Sequence, residues 1–376
     1  MGQSTGQFKD LGNDALSNDA LSNDALGHDA LGKEPLEGDS RLAHRAIALG
    51  DEHPNSGSSR QQLWLAAIKP PMYCVAVMPI CVGSAVAYAT TGAFQAGIFA
   101  TFSLSAILLL VWENLTNDVF DADTGIDENK HHSLVNLTQN RPLIFGLGNL
   151  CLLLGVAGIV SISWQQQDGT VLKMVLACCA LGYLYQGPPF RLGYHGLGEI
   201  LCFLSFGPLA VGAAYYAQTQ SWQMLDWRTE ATGSLSIWHG PLFPAAIIIG
   251  ITTTLVLFCS HFHQGDDDFK AGKKSPIVRL GTWRGAQLLP WACGSVFTIS
   301  LVAMVQGALP WSALLLAGSV PAAVKLCRHV LMFHDQPERV SNAKFLAIRF
   351  HFWSGLLLVL SLCIFLTVPD LAVGLS

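Results

Sequence analysis

Between residues 64 and 368 of this 376-residue chain, apolar runs of near-spanning length recur nine times. About 20 such residues make an α-helix long enough to cross a bilayer. The runs are Trp64–Thr91, Phe94–Leu115, Leu143–Ser163, Val171–Tyr185, Leu197–Ala217, Phe243–Phe262, Ala286–Gln306, Trp311–Leu326 and Ile348–Val368. The fourth and eighth are short, and Pro321 interrupts the eighth. The pattern predicts an all-α, polytopic integral membrane helix bundle of about nine transmembrane helices. Charge agrees, since only 12% of the residues are charged against roughly 25% in soluble domains. Such depletion leaves no basic stripe for phosphate backbones, which excludes a nucleic-acid-binding protein. The ten cysteines are scattered, mostly in apolar runs, with no C-x-x-C pair. They read as reduced core residues with no metal or redox part.

Residues 1–56 differ in composition from the rest of the chain. A five-residue unit repeats from Leu11 as LGNDA, LSNDA, LSNDA, LGHDA, and ten of the 26 acidic residues precede residue 57. With Ala and Leu as its only apolar residues, the repeat buries too little surface to fold alone. It lacks the basic start and apolar stretch of a signal peptide, and it is too acidic for an organelle transit peptide. The expected organisation is a disordered acidic tail over 1–56 and a membrane domain over 57–376. With nine spans, the side of the tail receives Arg60, Lys69, Lys130, Arg141, Arg191, Lys270, Lys273, Lys274, Arg279, Arg284, Lys325, Arg328, Arg339, Lys344 and Arg349. The opposite side receives only Lys173 and Arg228. Cytoplasmic loops carry the excess of Lys and Arg, so the tail and these loops are expected in the cytoplasm.

Two stretches on that side hold nine of the sixteen acids after the tail. One closes the second span, in ENLTNDVFDADTGIDENK, with Glu113, Asn114, Asn117, Asp118, Asp121, Asp123, Asp127 and Glu128. The other follows the sixth, in SHFHQGDDDFKAGKKSP, with Asp266, Asp267 and Asp268. On a helix, Asn114, Asp118 and Asp121 form an i, i+4, i+7 stripe with Asn117 beside it, and Gly125 would let the chain leave the helix before Asp127. A carboxylate at the centre of a membrane helix costs roughly 2.5–3.5 kcal/mol on insertion scales, so several together call for a cation and a purpose. Oxygen ligands without a Cys or His cage suit Mg²⁺ or Ca²⁺. With Lys273, Lys274, Arg279 and Arg141 nearby, a Mg²⁺-bridged diphosphate fits better than a bare ion. Metal and basic groups would neutralise charge growing on the departing diphosphate, and an apolar surround implies an allylic, prenyl-type substrate. D-A-D-T-G-I-D is no EF-hand, because its Gly stands fifth instead of sixth and His132 occupies the place of the bidentate Glu. A zinc site is not expected, since His131 and His132 are adjacent, and His261 and His263 point to different helix faces.

At these residues the chain resembles the UbiA superfamily of intramembrane prenyltransferases. Asn117-Asp118-x-x-Asp121, ending at Asp127, looks like its first aspartate motif. Gly125 two residues before Asp127 is similar to the MenA branch, which prenylates 1,4-dihydroxy-2-naphthoate. The stretch YQGPPFRLGYHGLGE, Tyr185 to Glu199, with FLSFGPL after it, looks like that branch between spans four and five. KPP at Lys69 and AGKKSPIVRLG from Ala271 match further parts. ENKHHSLVNLT and FCSHFHQ look like the cyanobacterial and plastid form. The second motif departs from the family, with Gln264 where an Asp is common and His263 where many relatives have Arg.

The resemblance implies a prenyltransferase domain in a cyanobacterial-type (bacterial inner or thylakoid) membrane. Its donor would be phytyl diphosphate and its acceptor 1,4-dihydroxy-2-naphthoate or 2-carboxy-1,4-naphthoquinone, with carbon dioxide lost in phylloquinone synthesis. Mg²⁺ would be held by Asp118, Asp121 and Asp127 on one side, and by Asp268 with Asp267 on the other. Asn114 and Asn117 would orient the diphosphate, while Lys130, Arg141 and Lys273 contact its oxygens. Tyr183 and Tyr185 would face the allylic cation, and Arg191 would pair with the acceptor carboxylate. Glu199 reads more readily as a helix N-terminal charge than as a base. The alternatives are a long polyprenyl donor in menaquinone synthesis, another aromatic acceptor or, from a different class, a cation transporter. A transporter would set its acids near the midplane in broken helices, whereas these lie at span ends.

Overall fold

The computed structural model describes residues 70–92, 94–124, 133–222, 224–225, 234–235 and 240–367. The repeat tail, Asp127 and Lys130 lie outside them. Each of the nine apolar runs corresponds to a helix or to contiguous helical segments: α1 (Tyr73–Thr91), α2 (Ala96–Thr124), α4 (Arg141–Gln166), α5 (Thr170–Gln186), α6 (Gly198–Thr219), α7 (Leu242–Lys270), α9 (Thr282–Val305), α10 (Trp311–Phe333) and α12 (Ala343–Thr367). Short helices α3 (Leu134–Thr138), α8 (Pro276–Leu280) and α11 (Pro337–Val340) sit in connections. The only strand pairing among the described residues is a two-residue ladder, Met224–Leu225 with Ser234–Leu235. Among the described residues, eight helical stretches are long and apolar enough to span a membrane, and α5, with 17 residues, is shorter. The protein is a multi-pass membrane protein.

A proline stands at the irregular point of two helices. In α6 the turn Ser205–Leu209 widens to π geometry around Pro208, whose ring lacks an N–H and crowds the carbonyl four residues earlier. The first part of α10, Trp311–Ser319, is a tighter 3₁₀ helix, and regular α geometry begins at Val320 with Pro321 in its first turn, where a missing N–H costs nothing.

Helices α1 and α6 are central. Val82 and Val86 of α1 join Val211 and Tyr215 of α6 in one core with α7, α9, α10 and α12. Ile80 of α1 and Ala213, Ala214 and Tyr216 of α6 join a second core with α2, α4 and α5. Leucines on α4, among them Leu150, Leu153 and Leu154, point outward, as lipid-facing residues must. At the end of the bundle formed by the start of α2 and the ends of α4 and α6, polar groups close the rim. Gln95 and Gln218 exchange bonds (Gln95 N–H to Gln218 Oε1, 2.8 Å; Gln95 Nε2 to Gln218 O, 2.9 Å). The Tyr216 hydroxyl donates to Asp168 Oδ2 at 2.6 Å, and with Thr170 it holds that carboxyl below the ordinary carboxylate range.

Candidate active site

The opposite end of the bundle gathers the acidic motifs. Helix α2 continues two turns past the apolar run, to Thr124, so Asn114, Asn117, Asp118 and Asp121 stand on its final turns, all half-buried. Asp118 Oδ2 accepts the backbone N–H of Leu134 at 3.0 Å, tying the return segment to the helix. Asp121 Oδ1 accepts from the side-chain amide of buried Gln186 and from the Tyr194 hydroxyl at 3.5 Å. Asp123 is exposed and pairs with Arg141, itself exposed at the start of α4.

The second motif resolves into one interior acid and two outer ones. Asp268 is 1% exposed, whereas Asp266 and Asp267 are exposed, and Asp267 lies 4.0 Å from Lys270. Asp268 Oδ1 is 3.3 Å from the ammonium of buried Lys273, and Oδ2 is 3.0 Å from His261 Nδ1. His261 Nε2 in turn lies 3.4 Å from Glu199 Oε1, at the start of α6.

Tyr194 connects the two motifs. Its hydroxyl meets Asp121, while Lys273 Nζ sits 5.8 Å and the Arg191 guanidinium 5.9 Å from the centre of its ring, distances at which a cation is attracted to the π face. The α5–α6 loop is clamped onto the α7–α8 loop: the Lys274 N–H donates to the Tyr194 carbonyl at 2.8 Å, and Arg279 donates to that of His195. Gly196 permits this approach, having φ of 75° and room for no Cβ, which would stand 2.6 Å from the Lys274 carbonyl oxygen. Arg191 is also left-handed, with φ of 42°.

Tyr185 lies within electrostatic range of Glu199, Asp121 and Asp268. Its ring is wedged between Gly193 and Gly198, at each of which a Cβ would come 2.7 Å from Cε2. On the expectation that this ring faces the allylic cation, Gly198→Ala should displace it and slow turnover by up to about 10²-fold, the cost of a displacement near 1 Å at a reacting centre. Steady-state rates in membranes check this. Tyr183 is not brought in: it is 42% exposed, donates to the Pro188 carbonyl at 2.7 Å and packs edge-on against Phe120.

The structure thus joins Asp121, Asp268, Lys273, Tyr185 and Arg191, with Asp118, Asn114 and Asn117 on the same helix as Asp121. Arg141, Asp267 and Tyr183 lie on outer faces. Gln186, Tyr194 and His261 have no role in the site expected from sequence, where Glu199 reads as structural. Gln186 and Tyr194 stand inside YQGPPFRLGYHGLGE, a stretch that carries the family resemblance, and that was the available signal. Among the described residues no three His, Cys, Asp or Glu side chains form a self-sufficient metal cage.

Residues 76–356 match the UbiA prenyltransferase family. The chain is 52% identical over 305 residues to a 2-carboxy-1,4-naphthoquinone phytyltransferase of Synechocystis sp., covering 81% of this chain and 94% of that one. It is 39% identical to the chloroplastic 2-carboxy-1,4-naphthoquinone phytyltransferase of Arabidopsis thaliana, covering 81% of this chain and 78% of the relative. In fold it is similar to a UbiA homolog from Archaeoglobus fulgidus, with TM-score 0.52 at 14% identity, over 80% of this chain and 98% of the other.

Proposed function

The chain belongs to the UbiA prenyltransferase family, and on that premise we propose that it transfers a phytyl group from phytyl diphosphate to 1,4-dihydroxy-2-naphthoate, or its 2-carboxy-1,4-naphthoquinone form, in phylloquinone synthesis. The observation that carries this reading is the 52% identity, across 94% of its length, to a relative named for that donor group and that acceptor. The site supports it with interior carboxylates from two helices, Asp121 and Asp268, bridged by Tyr194 and Lys273.

An oxygen-only donor set fits Mg²⁺, which keeps few protein ligands and completes its shell with substrate phosphates. Asp118, Asp121 and Asp127 would hold it from the α2 side and Asp268 from α7. When bound, Mg²⁺ supplies charge neutralisation on the leaving diphosphate. The chain's own groups do the rest. Asn114 and Asn117 orient diphosphate oxygens, and Lys273 and Lys130 donate to them. The allylic C–O bond breaks with its electron pair going to diphosphate, while the Tyr185 ring faces the resulting cation. The dihydroxy form of the acceptor supplies the pair for the new C–C bond from the carbon bearing its carboxylate. A ring hydroxyl loses its proton, the C–CO₂ bond breaks with its electrons returning to the ring, and a proton restores the hydroquinone. Arg191 pairs with the carboxylate before it leaves. The site-bearing end faces the cytoplasm, because the flanking loops hold fifteen Lys and Arg against two on the other side.

Membranes expressing the chain, supplied with 1,4-dihydroxy-2-naphthoate and phytyl diphosphate, should form a decarboxylated phytyl product with Mg²⁺ and none with EDTA. Preference for a long polyprenyl diphosphate would move the reading to menaquinone synthesis. No prenylated naphthoquinone from either donor would overturn it.

A further inference from the structure

We propose that His261 and Glu199 are a positioning pair for this reaction: His261 fixes the Asp268 carboxylate, and Glu199 fixes His261. The inference rests on the reading of Asp268 as a ligand of a Mg²⁺–diphosphate. His261 and Asp268 lie seven residues, two turns, apart on α7 and share a face, while Glu199 comes from the first turn of α6. His261 and Asp268 are 2% and 1% exposed, so neither solvent nor an outer side chain sets their geometry.

The contacts divide the labour between the two oxygens of Asp268. Oδ2 is 3.0 Å from His261 Nδ1, and since a carboxylate only accepts, that nitrogen carries the hydrogen. The far nitrogen, Nε2, faces Glu199 Oε1 at 3.4 Å, within ion-pair reach but without a hydrogen bond, so Glu199 flanks the edge of the ring away from Asp268. Oδ1 is thereby turned the other way, towards Lys273 at 3.3 Å and the Tyr194 ring beyond it. That is the side on which Asp121 lies. A core filled by hydrophobic residues would be no less stable than these buried ionisable groups, so stability alone does not account for them. Holding one oxygen so that the other is presented to a metal does. Outer partners of this kind typically change metal affinity 10–100-fold when removed.

The test is Mn²⁺ binding to the purified full chain in detergent with inorganic diphosphate, followed by the paramagnetic resonance signal of free Mn²⁺. His261→Leu should weaken binding about 10–100-fold and raise by a similar factor the Mg²⁺ concentration for half-maximal transfer, with the rate at saturating Mg²⁺ mostly regained. His261→Asn, whose amide can donate to Asp268, should recover much of the affinity. Asp268→Asn separates the two ideas. If it leaves Mn²⁺ affinity unchanged, the reading of Asp268 as a ligand fails. If it weakens binding while His261→Leu binds like wild type, the positioning proposal alone is overturned. Should His261→Leu fail to accumulate folded, His261→Phe and Glu199→Ala take its place, and wild-type Mn²⁺ affinity in both overturns the proposal.

Discussion

Asp121→Asn is expected to form prenylated product about 10²–10³ times more slowly than the wild-type chain, the range seen when one preorganised electrostatic contact is removed from a transition state. The substitution keeps shape and leaves an amide oxygen that can still accept from Gln186 and Tyr194, so both contacts to Oδ1 survive while the negative charge does not. Folded yield and thermal stability should therefore stay close to wild type, which ties the loss to chemistry. Asp267→Asn provides the contrast. Its carboxylate is 49% exposed and stands 4.0 Å from Lys270, a surface pair of small energetic value. Its transfer rate should match wild type, although it adjoins Asp268 in sequence. Rates of the two variants in membranes, normalised to folded protein, decide the matter. Equal losses would show that the outer acid takes part.

The second large effect is expected on stability, at the crossing of α1 and α6. A Cβ at Gly83 would stand 2.4 Å from the carbonyl oxygen of Val211, 2.7 Å from Ala214 Cβ and 3.0 Å from the Tyr215 nitrogen. Two of those neighbours are backbone atoms, which cannot swing aside as the end of a side chain can. Small residues are what let membrane helices approach this closely, and overpacking a tight contact costs typically about 1–3 kcal/mol. Gly83→Ala should lower the melting temperature in detergent and the folded yield. Because α6 also carries Glu199, a shift of that helix should reduce transfer as well. Gly97→Ala, on α2, is the control. Nothing lies within 4 Å of its added Cβ, and its stability should be unchanged or slightly higher.

The bundle itself was legible because bilayer thickness is a one-dimensional constraint. Every apolar run expected from sequence corresponds to an apolar helix, eight of them long enough to span among the described residues, and the short fourth run is the 17-residue α5. Ends were less legible from hydropathy alone. The second apolar run stops at Leu115, yet α2 continues to Thr124, next to the Gly125 at which the sequence predicts the helix to be left, because hydropathy registers the arrival of polar residues and not the end of backbone hydrogen bonding. The stripe of Asn114, Asp118 and Asp121 is unaffected, since it depends on helical period alone.

The second motif shows where sequence stopped. Asp266, Asp267 and Asp268 are consecutive and chemically identical, and only the rotation of α7 within the bundle buries the third and exposes the other two. His261 offers no zinc site in the sequence, and its signal there is its place inside FCSHFHQ, a stretch that carries the family resemblance. Its contact with Asp268, seven residues on, follows from helical period, but its contact with Glu199 needs α6 to lie alongside. Arg141 and Tyr183 have the right chemistry and adjoin the motifs in sequence, yet both lie on outer faces.

By itself the sequence determined the all-helical membrane architecture, the end of the bundle that carries the acids, and the family, because periodicity, charge bias and motif spacing are local properties of the chain. The tertiary structure alone decided which acid of a run faces inward, that Tyr194 joins Asp121 to Lys273, and that Glu199 of α6 lies beside the histidine that contacts Asp268. Those outcomes depend on helix rotation and on loop-to-loop contact between segments some 80 residues apart. No local pattern encodes them.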